Sequence, residues 1–557
     1  MIPATLARYW HTLRWLRPVQ VYGRLWFRLQ RPRPDLRPAP PLREGAGAAW
    51  MPGARVPSMT GPDRFRFLAV ERRLAEAADW NRPDWPKLWL YNAHYFDDLL
   101  ADGAAQRVSW HRDLIARWIA QNPPGQGNGW EPYPTSLRIV NWIAWLLAGN
   151  APDSAMLHSL AVQARWLRRR LEVHLLGNHL WANAKALVFA GSFFAGPQAE
   201  AWRARGLALL RRELEEQWLA DGGHFERSPM YHAIVLADLL DLIQLTQCHP
   251  GLLPTPDVQR WREQVPRMLR WLRVMSHPDG GIAFFNDAAL DIAPGHAALA
   301  ERARALGLKV DQAPLAAIEA LADSGYVRLA AGPAVLIADV GAIGPDYLPG
   351  HAHADTLSFE LSLDGRRMLV NSGTSVYAPG IERQRQRATP AHNTVVVDGA
   401  DSSEVWGSFR VARRARVSRV CWGREGGVAW IEAAHDGYQR LQPPALHWRR
   451  WVLDDGSLVV IDRVAGGAGR SVARFHFHPG MAFQPADGAS MQDRLADLSW
   501  TIDGGVGRTL PTSWHPRFGE SVATTVLAVS MHRDVLQTTF RWRAPADNRA
   551  DAPERTA

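Results

Sequence analysis

Two histidines and an aspartate alternate in the segment Gly350-His351-Ala352-His353-Ala354-Asp355. In an extended backbone, residues i, i+2 and i+4 share a face, so His351, His353 and Asp355 would present two imidazoles and a carboxylate together. Such a set can meet a polymer or a metal ion. An isolated HxH also occurs as an ordinary hydrogen-bonded strand start. Three more clusters pack amide, imidazole, phenol or guanidinium groups onto loop-to-helix junctions: GNHLWANAK at 177–185, GGHFERSPMYH at 222–232 and WEPYPTSLRIVNW at 130–142. Taken singly, each reads as helix capping and buried hydrogen bonding. Together they supply a carboxylate-binding amide, a phenol and imidazoles.

That inventory suits β-elimination of a uronic acid. The weakly acidic C5 proton can be removed only if hydrogen-bond donors first neutralise the adjacent carboxylate. A base then takes the proton and an acid protonates the departing O4. Asn and His can neutralise, Tyr or His can act as base, and Tyr as acid. Glycoside hydrolysis calls instead for two carboxylates flanking the bond. Glu131, Glu226 and Asp287 are available for that, but their spacing shows no pairing.

The elements that must position these groups change character near residue 325. From about 85 to 310 the apolar period is helical, as in Leu137, Val140, Ala144 and Leu147, or in Ile234, Ala237, Leu240, Asp241 and Leu245. Beyond it the period is two. Leu357, Phe359, Leu361 and Leu363 alternate with Ser358, Glu360 and Ser362 up to Asp364-Gly365, a hairpin signal. Further strands are expected within 392–399, 457–464 and 472–480. The expected organisation is a basic, Trp-rich helical segment over 1–84, an all-helical domain over 85–324, an antiparallel β-sandwich over 325–545, and a disordered tail over 546–557.

The chain has 557 residues, 47% hydrophobic and 21% charged, with a formal net charge of +9 and 26 tryptophans, composition typical of a globular protein. Only three of its 64 basic residues, Lys87, Lys185 and Lys309, are lysine. Arginine forks suit carboxylate, sulfate or phosphate, and tryptophan stacks on sugar rings. Cys248 and Cys421 form no CxxC pair, so neither a disulfide framework nor a thiolate metal site is indicated. No nucleic-acid-binding motif accompanies the positive charge. The N-terminus interleaves Arg8, Arg14, Arg17, Arg24 and Arg28 with Trp10, Leu13, Trp15, Leu25 and Trp26, without the uninterrupted apolar core of a secretory signal. A cytoplasmic location is therefore the default expectation, with periplasm or cell envelope as the alternative. This basic amphipathic stretch can make peripheral membrane contact or pack on the body of the protein.

In their order along the chain, GNHLWANAKAL, GGHFERSPMYH, FFNDAA at 284–289, GHAHADTLSFEL, NSGTSVY and AHNTVVVDG resemble the heparinase II/III family of polysaccharide lyases, over roughly residues 85 to 540. The resemblance implies an incomplete (α/α) toroid followed by an antiparallel β-sandwich. It implies that Asn178 neutralises the uronate carboxylate, helped by His179, that Tyr231 is the general acid and for one C5 configuration also the base, and that His351 is the partner base or a second neutraliser. Arg138, Glu226 and Tyr377 are then expected to contact an acidic polysaccharide. No cofactor is required. Some relatives hold a structural zinc, and the matching positions here are His353, Asn371 and His392. Asn371 departs from the family's aspartate, and a neutral amide oxygen is a much poorer zinc ligand. Asp355 is the residue that could compensate. A hydrolase on the same scaffold, or a non-catalytic polysaccharide-binding or assembly protein, are the competing readings. Oligomeric state is left open.

Overall fold

The computed structural model describes residues 4–44, 47–466, 469–483, 490–492 and 497–542. The expected tail at 546–557 lies outside them. Twelve α-helices are described: α1 (Ala4–Leu13), α2 (Pro18–Leu29), α3 (Lys87–Tyr95), α4 (Val108–Gln121), α5 (Pro132–Leu147), α6 (Ser154–Arg169), α7 (Gly177–Phe193), α8 (Pro197–Gln217), α9 (Pro229–Cys248), α10 (Thr255–Val274), α11 (His296–Ala305) and α12 (Ile381–Arg387). Among the described residues, no helix is long and apolar enough to cross a membrane.

Inner helices α3, α5, α7 and α9 neighbour one another in turn, with outer helices packed behind them, the arrangement of an incomplete (α/α) toroid. Helix α7 is apolar nearly all round and buried along almost its whole length, as a central helix must be. It packs closely on α8 because Gly206 leaves no side chain at the crossing. A Cβ there would stand 2.7 Å from the Ala184 carbonyl oxygen. Asp241, the one polar member of its apolar stripe on α9, is buried and accepts from Lys185 on α7 and from Arg302 on α11, the latter at 2.6 Å. A buried carboxylate is tolerated when paired in this way.

The C-terminal half is built from antiparallel sheets. A five-stranded meander runs Ile318–Leu321, Tyr326–Ala331, Ala334–Asp339, Phe359–Leu363 and Arg366–Leu369. An eight-stranded sheet centred on Leu446–Leu453 and Ser457–Ala465, and a four-stranded sheet containing Val395–Val397 and Ser471–His476, share one apolar core with it. Leu446–Leu453 alternates half-buried and buried residues, the signature of a sheet with one face on a core. The hairpin expected at Asp364-Gly365 is present, with φ of 48° and 80°, the left-handed pair that a two-residue turn requires.

Three expectations change. The sheet begins at Ile318, seven residues before the expected boundary, because Ile318–Leu321 is too short to show a period by itself. Residues 1–84 are not wholly helical, since Met59–Gly61, Arg64–Phe67 and Val70–Arg73 form a small antiparallel meander. Strand Phe359–Leu363 alternates in sequence as though its polar face met water, yet it is buried on both faces. Its apolar residues enter the sandwich core. Glu360 and Ser362 on the other face bond His277, beyond the end of α10, at 2.9 and 2.8 Å. A polar seam thus joins the toroid to the sandwich.

Candidate active site

Each inner helix is followed by an outer helix running back, so the N-termini of α5, α7 and α9 gather at one end of the toroid. Tyr133, Asn178, His179 and Tyr231 all lie in these first turns. Leu176 and Gly177 enter α7 with φ of 61° and 54°. This sharp entry points the Asn178 backbone N–H and side-chain amide at one oxygen, Glu226 Oε1, at 3.3 and 3.2 Å. First-turn amides lack intrahelical acceptors and lie at the positive end of the helix dipole, so a carboxylate is favoured there. Ser228 caps α9 by accepting from the Tyr231 N–H at 3.2 Å, and its hydroxyl donates to the Asp287 carbonyl at 2.5 Å. That cap fixes Tyr231 relative to the loop carrying Asp287.

The HAHAD segment is a turn-rich loop, not a regular strand, and Leu357 closes it with φ of 61°. Its alternate residues nevertheless converge on Asn286 and Asp287. His351 Nδ1 lies 2.9 Å from Asp287 Oδ2 and His353 Nε2 lies 2.8 Å from Asp287 Oδ1. Asp355 accepts from the Asn286 N–H at 2.9 Å. The other His351 nitrogen, Nε2, faces Glu226 Oε2 at 3.4 Å. The His351 ring stacks on Tyr231, with centroids 3.8 Å apart, and the Tyr231 hydroxyl meets that of Tyr377 at 3.0 Å. Glu226 therefore bridges Asn178 to His351, and His351 bridges both carboxylates beside a pair of phenols.

Asp287 is wholly buried. Burial alone would raise its pKa, but the Arg383 guanidinium and the two imidazole hydrogen bonds hold it well below the usual carboxylate range. Arg383 donates to both Asp287 oxygens, to Oδ2 at 2.8 Å. One turn on in α12, Arg387 donates twice to the Ala352 carbonyl, at 3.1 and 2.8 Å, and so pins the loop between the two histidines. Burial raises the Tyr231 and Tyr377 phenols well above their ordinary value, so both are protonated at neutral pH.

His179 stands apart from this group. Its ring lies on Tyr133 at 4.5 Å and its Nδ1 is 3.2 Å from Glu172. Burial opposes its charge, but the Glu172 carboxylate outweighs that and raises its pKa. Arg138, the expected substrate contact, is not brought to this group. It is fully buried, donates to Gln163, the His94 carbonyl and the Gly129 carbonyl at 2.9, 3.2 and 2.8 Å, and lies 3.8 Å over the Trp118 ring. Its place is the toroid core. Asp287 and Arg383 carry roles that the spacing does not reveal. Asp287 belongs to the FFNDAA motif, but Arg383 is one more arginine in an arginine-rich chain, 96 residues from its partner.

The residues present do not fit the zinc of some relatives. His353 and His392 face each other with ring centroids 5.3 Å apart, and His353 Nδ1 and both His392 nitrogens lack hydrogen-bond partners. The third position is Asn371, whose Oδ1 already accepts from the Asn393 N–H at 3.2 Å. Asp355 faces Asn286, and no three His, Cys, Asp or Glu side chains form a metal-holding group among the described residues. Two neutral imidazoles without an anionic ligand are a poor tetrahedral site.

Helices ringed against antiparallel sheets, with an amide, an imidazole and two phenols meeting at the join, define a toroid-plus-sandwich protein. The fold is that of a solved heparinase III structure (18% identical, TM-score 0.66, 86% of this chain and 79% of that one) and of a chondroitin AC lyase from Streptomyces coelicolor (13%, TM-score 0.52, 88% and 77%). The chain belongs to the heparinase II/III family: the family's N-terminal model matches residues 109–297 and its heparinase II/III-like C-terminal model matches residues 313–543. It is 27% identical over 506 residues to FtsZ-localized protein C of Caulobacter vibrioides, covering 85% of this chain and 81% of that protein. It is also similar to the heparin-sulfate lyases of Bacteroides stercoris (24%, 54% of this chain) and Pedobacter heparinus (27%, 63% of this chain). The matches span 46% and 55% of those two lyases, about half their length.

Proposed function

We propose that this protein is a polysaccharide lyase that cleaves a uronate-containing polymer by β-elimination where toroid meets sandwich. The observation that carries this reading is the convergence of Asn178 and His351 on a single carboxylate, that of Glu226, beside the Tyr231–Tyr377 phenol pair. A uronate carboxylate needs the amide donors that Asn178 turns to Glu226, with an imidazole beside them as base. Bound at the α7 N-terminus against the Asn178 amides, it would have its charge neutralised and its C5 proton acidified. The Asp287 carboxylate accepts from His351 Nδ1–H and leaves the Nε2 lone pair as the base, the orienting role that an aspartate plays in a hydrolytic triad. His351 takes the C5 proton, the C4–C5 double bond forms as the C4–O4 bond breaks, and Tyr231 gives its phenolic proton to O4. The stacked imidazolium then returns a proton to the phenolate, directly or through Tyr377 and water.

A hydrolase is less well supported, because Asp287 is committed to Arg383 and two histidines and so cannot serve as the second free carboxylate. The burial of the residues that would act on substrate leaves a non-catalytic role as the competing reading. Asn178, Glu226 and Tyr231 are each at most 9% exposed, so the resting site is nearly closed. A panel of uronate polymers, followed by ultraviolet absorbance of the unsaturated product and by product mass, tests all three. Tyr231→Phe is expected to lower the rate of double-bond formation roughly 10²–10⁴-fold with the fold intact. Undiminished activity in that variant would remove Tyr231 from the mechanism. New reducing ends without the chromophore would establish the hydrolase, and saccharide binding without cleavage the binder.

A further inference from the structure

Nine of the 22 large hydrophobic residues exposed among the described residues fall between Leu6 and Leu29. No comparable concentration occurs elsewhere in the described chain. Helix α2 has two apolar faces. Gln20, Gly23 and Phe27 point inward: Gln20 donates to the Tyr347 carbonyl at 2.9 Å, Gly23 lies against His174, and Phe27 sits between His174 and the Arg170 guanidinium, which is 3.5 Å over its ring. At 100° per residue, Val21, Tyr22, Leu25, Trp26 and Leu29 occupy the opposite side, and all are exposed, Trp26 at 62% and Leu29 at 79%. In α1, Leu6, Trp10 and Leu13 form a second exposed stripe at i, i+4 and i+7. Its other side is tied to the sandwich by Thr12, whose hydroxyl accepts from the Trp406 indole at 3.1 Å. The choice between packing on the body and facing outward is therefore not exclusive, because each helix does both.

Charge identifies what the outward faces meet. Residues 1–34 hold seven arginines and no aspartate or glutamate. Arg24 and Arg28 are exposed on one flank of the α2 apolar face. A second copy of so basic a surface would repel the first, and a polysaccharide or nucleic acid offers nothing for Leu25 and Leu29. An acidic bilayer satisfies both parts: aliphatic side chains enter the acyl boundary, Trp and Tyr settle at headgroup depth, and arginine stems extend to the phosphates. We propose that α1 and α2 form a docking surface for an anionic membrane, on which the protein lies peripherally. At 12 residues α2 is too short to span a bilayer and lies in its plane. Being fixed to the body, it would hold toroid and sandwich at a set orientation to the lipid. The inference is independent of the lyase reading, since nothing in it requires cleavage.

Vesicle flotation of the full chain tests it, with phosphatidylcholine vesicles compared with vesicles containing about one-third phosphatidylglycerol. Binding to the acidic vesicles is expected to be about 10-fold or more tighter and to weaken with salt. The triple substitution Leu25→Ala, Trp26→Ala, Leu29→Ala should weaken it at least about 10-fold with unchanged circular dichroism. The pair Arg24→Glu, Arg28→Glu, which leaves the apolar face in place, should do likewise and flatten the salt dependence. Equal binding to both vesicles, or wild-type binding by both variants, would overturn the proposal. So would a concentration-dependent dimer that the triple variant abolishes while no vesicle binding is seen, which would assign the face to a second copy.

Discussion

At the scale of single residues, Asp287 ties the site together. It holds Arg383, His351 and His353 at once, and accepts from Thr374 at 3.3 Å. Asp287→Asn leaves the Arg383 guanidinium buried without its counter-charge, and removing one partner of a buried pair costs about 3–5 kcal/mol. That loss should appear as a lower denaturant midpoint, partly restored by adding Arg383→Gln, since the second change removes the stranded charge. A single-variant cost under about 1 kcal/mol would show that the pair does not hold this junction together. That Asn178, Tyr231 and His351 come together is foreshadowed in the sequence, because each sits in a short run of chemically unusual neighbours. The Asp287–Arg383 pair was not, because no local spacing links a loop aspartate to an arginine on a helix 96 residues later. Arg138 is the converse case: the motif offers it as a substrate contact, whereas the toroid closes over it.

At the scale of elements, the entry to α7 decides where the carboxylate-binding amides point. Gly177 has φ of 54°, and a Cβ there would stand 2.6 Å from Leu348 and 2.8 Å from Glu226 Oε1. Gly177→Ala combines a left-handed backbone with a close contact, and is expected to cost about 1–3 kcal/mol. It should also tilt the first turn of α7 away from Glu226. Thermal unfolding reads the first effect and the KM for a uronate oligomer the second. Unchanged values for both would mean that the loop at 345–350 yields to the methyl group. The period-two strand Phe359–Leu363 is legible as a strand but not as a two-sided one, since alternation cannot distinguish a face in water from a face bonded to His277. The alternation of the HAHAD run predicts an extended backbone. It folds as turns because Asn286, Arg387 and Asp287 supply hydrogen bonds that a ladder partner would otherwise give.

At the scale of the whole molecule, the order of toroid and sandwich follows from the change of hydrophobic period, while the boundary between them slipped by a strand too short to show one. Many imidazoles are buried in both halves. His94 and His232 are inaccessible, and burial lowers them to about 3 and about 4. In the unfolded chain they titrate near 6.5, so the native state binds fewer protons than the unfolded state between these values. Stability is thus full above about pH 6.5 and declines as pH falls toward 4, each group contributing on the order of 3 kcal/mol across the window. Asp287, a carboxylate held well below its ordinary value, keeps its contribution through that window and loses it only as pH falls below about 4. The thermal midpoint is expected to fall steadily between pH 6.5 and 4.5, and a flat midpoint would mean that these imidazoles are charged in the native state. The seam between the halves has a consequence for how such proteins are recombined. Asn178, Tyr231, Glu226 and Asp287 come from the toroid, while His351, Tyr377 and Arg383 come from the sandwich. Neither half carries the whole cluster, and a chimera that keeps this chain's toroid must supply an arginine in the place of Arg383 to meet Asp287. Exchanging one domain alone therefore separates Asp287 from Arg383, however separately the two cores are built.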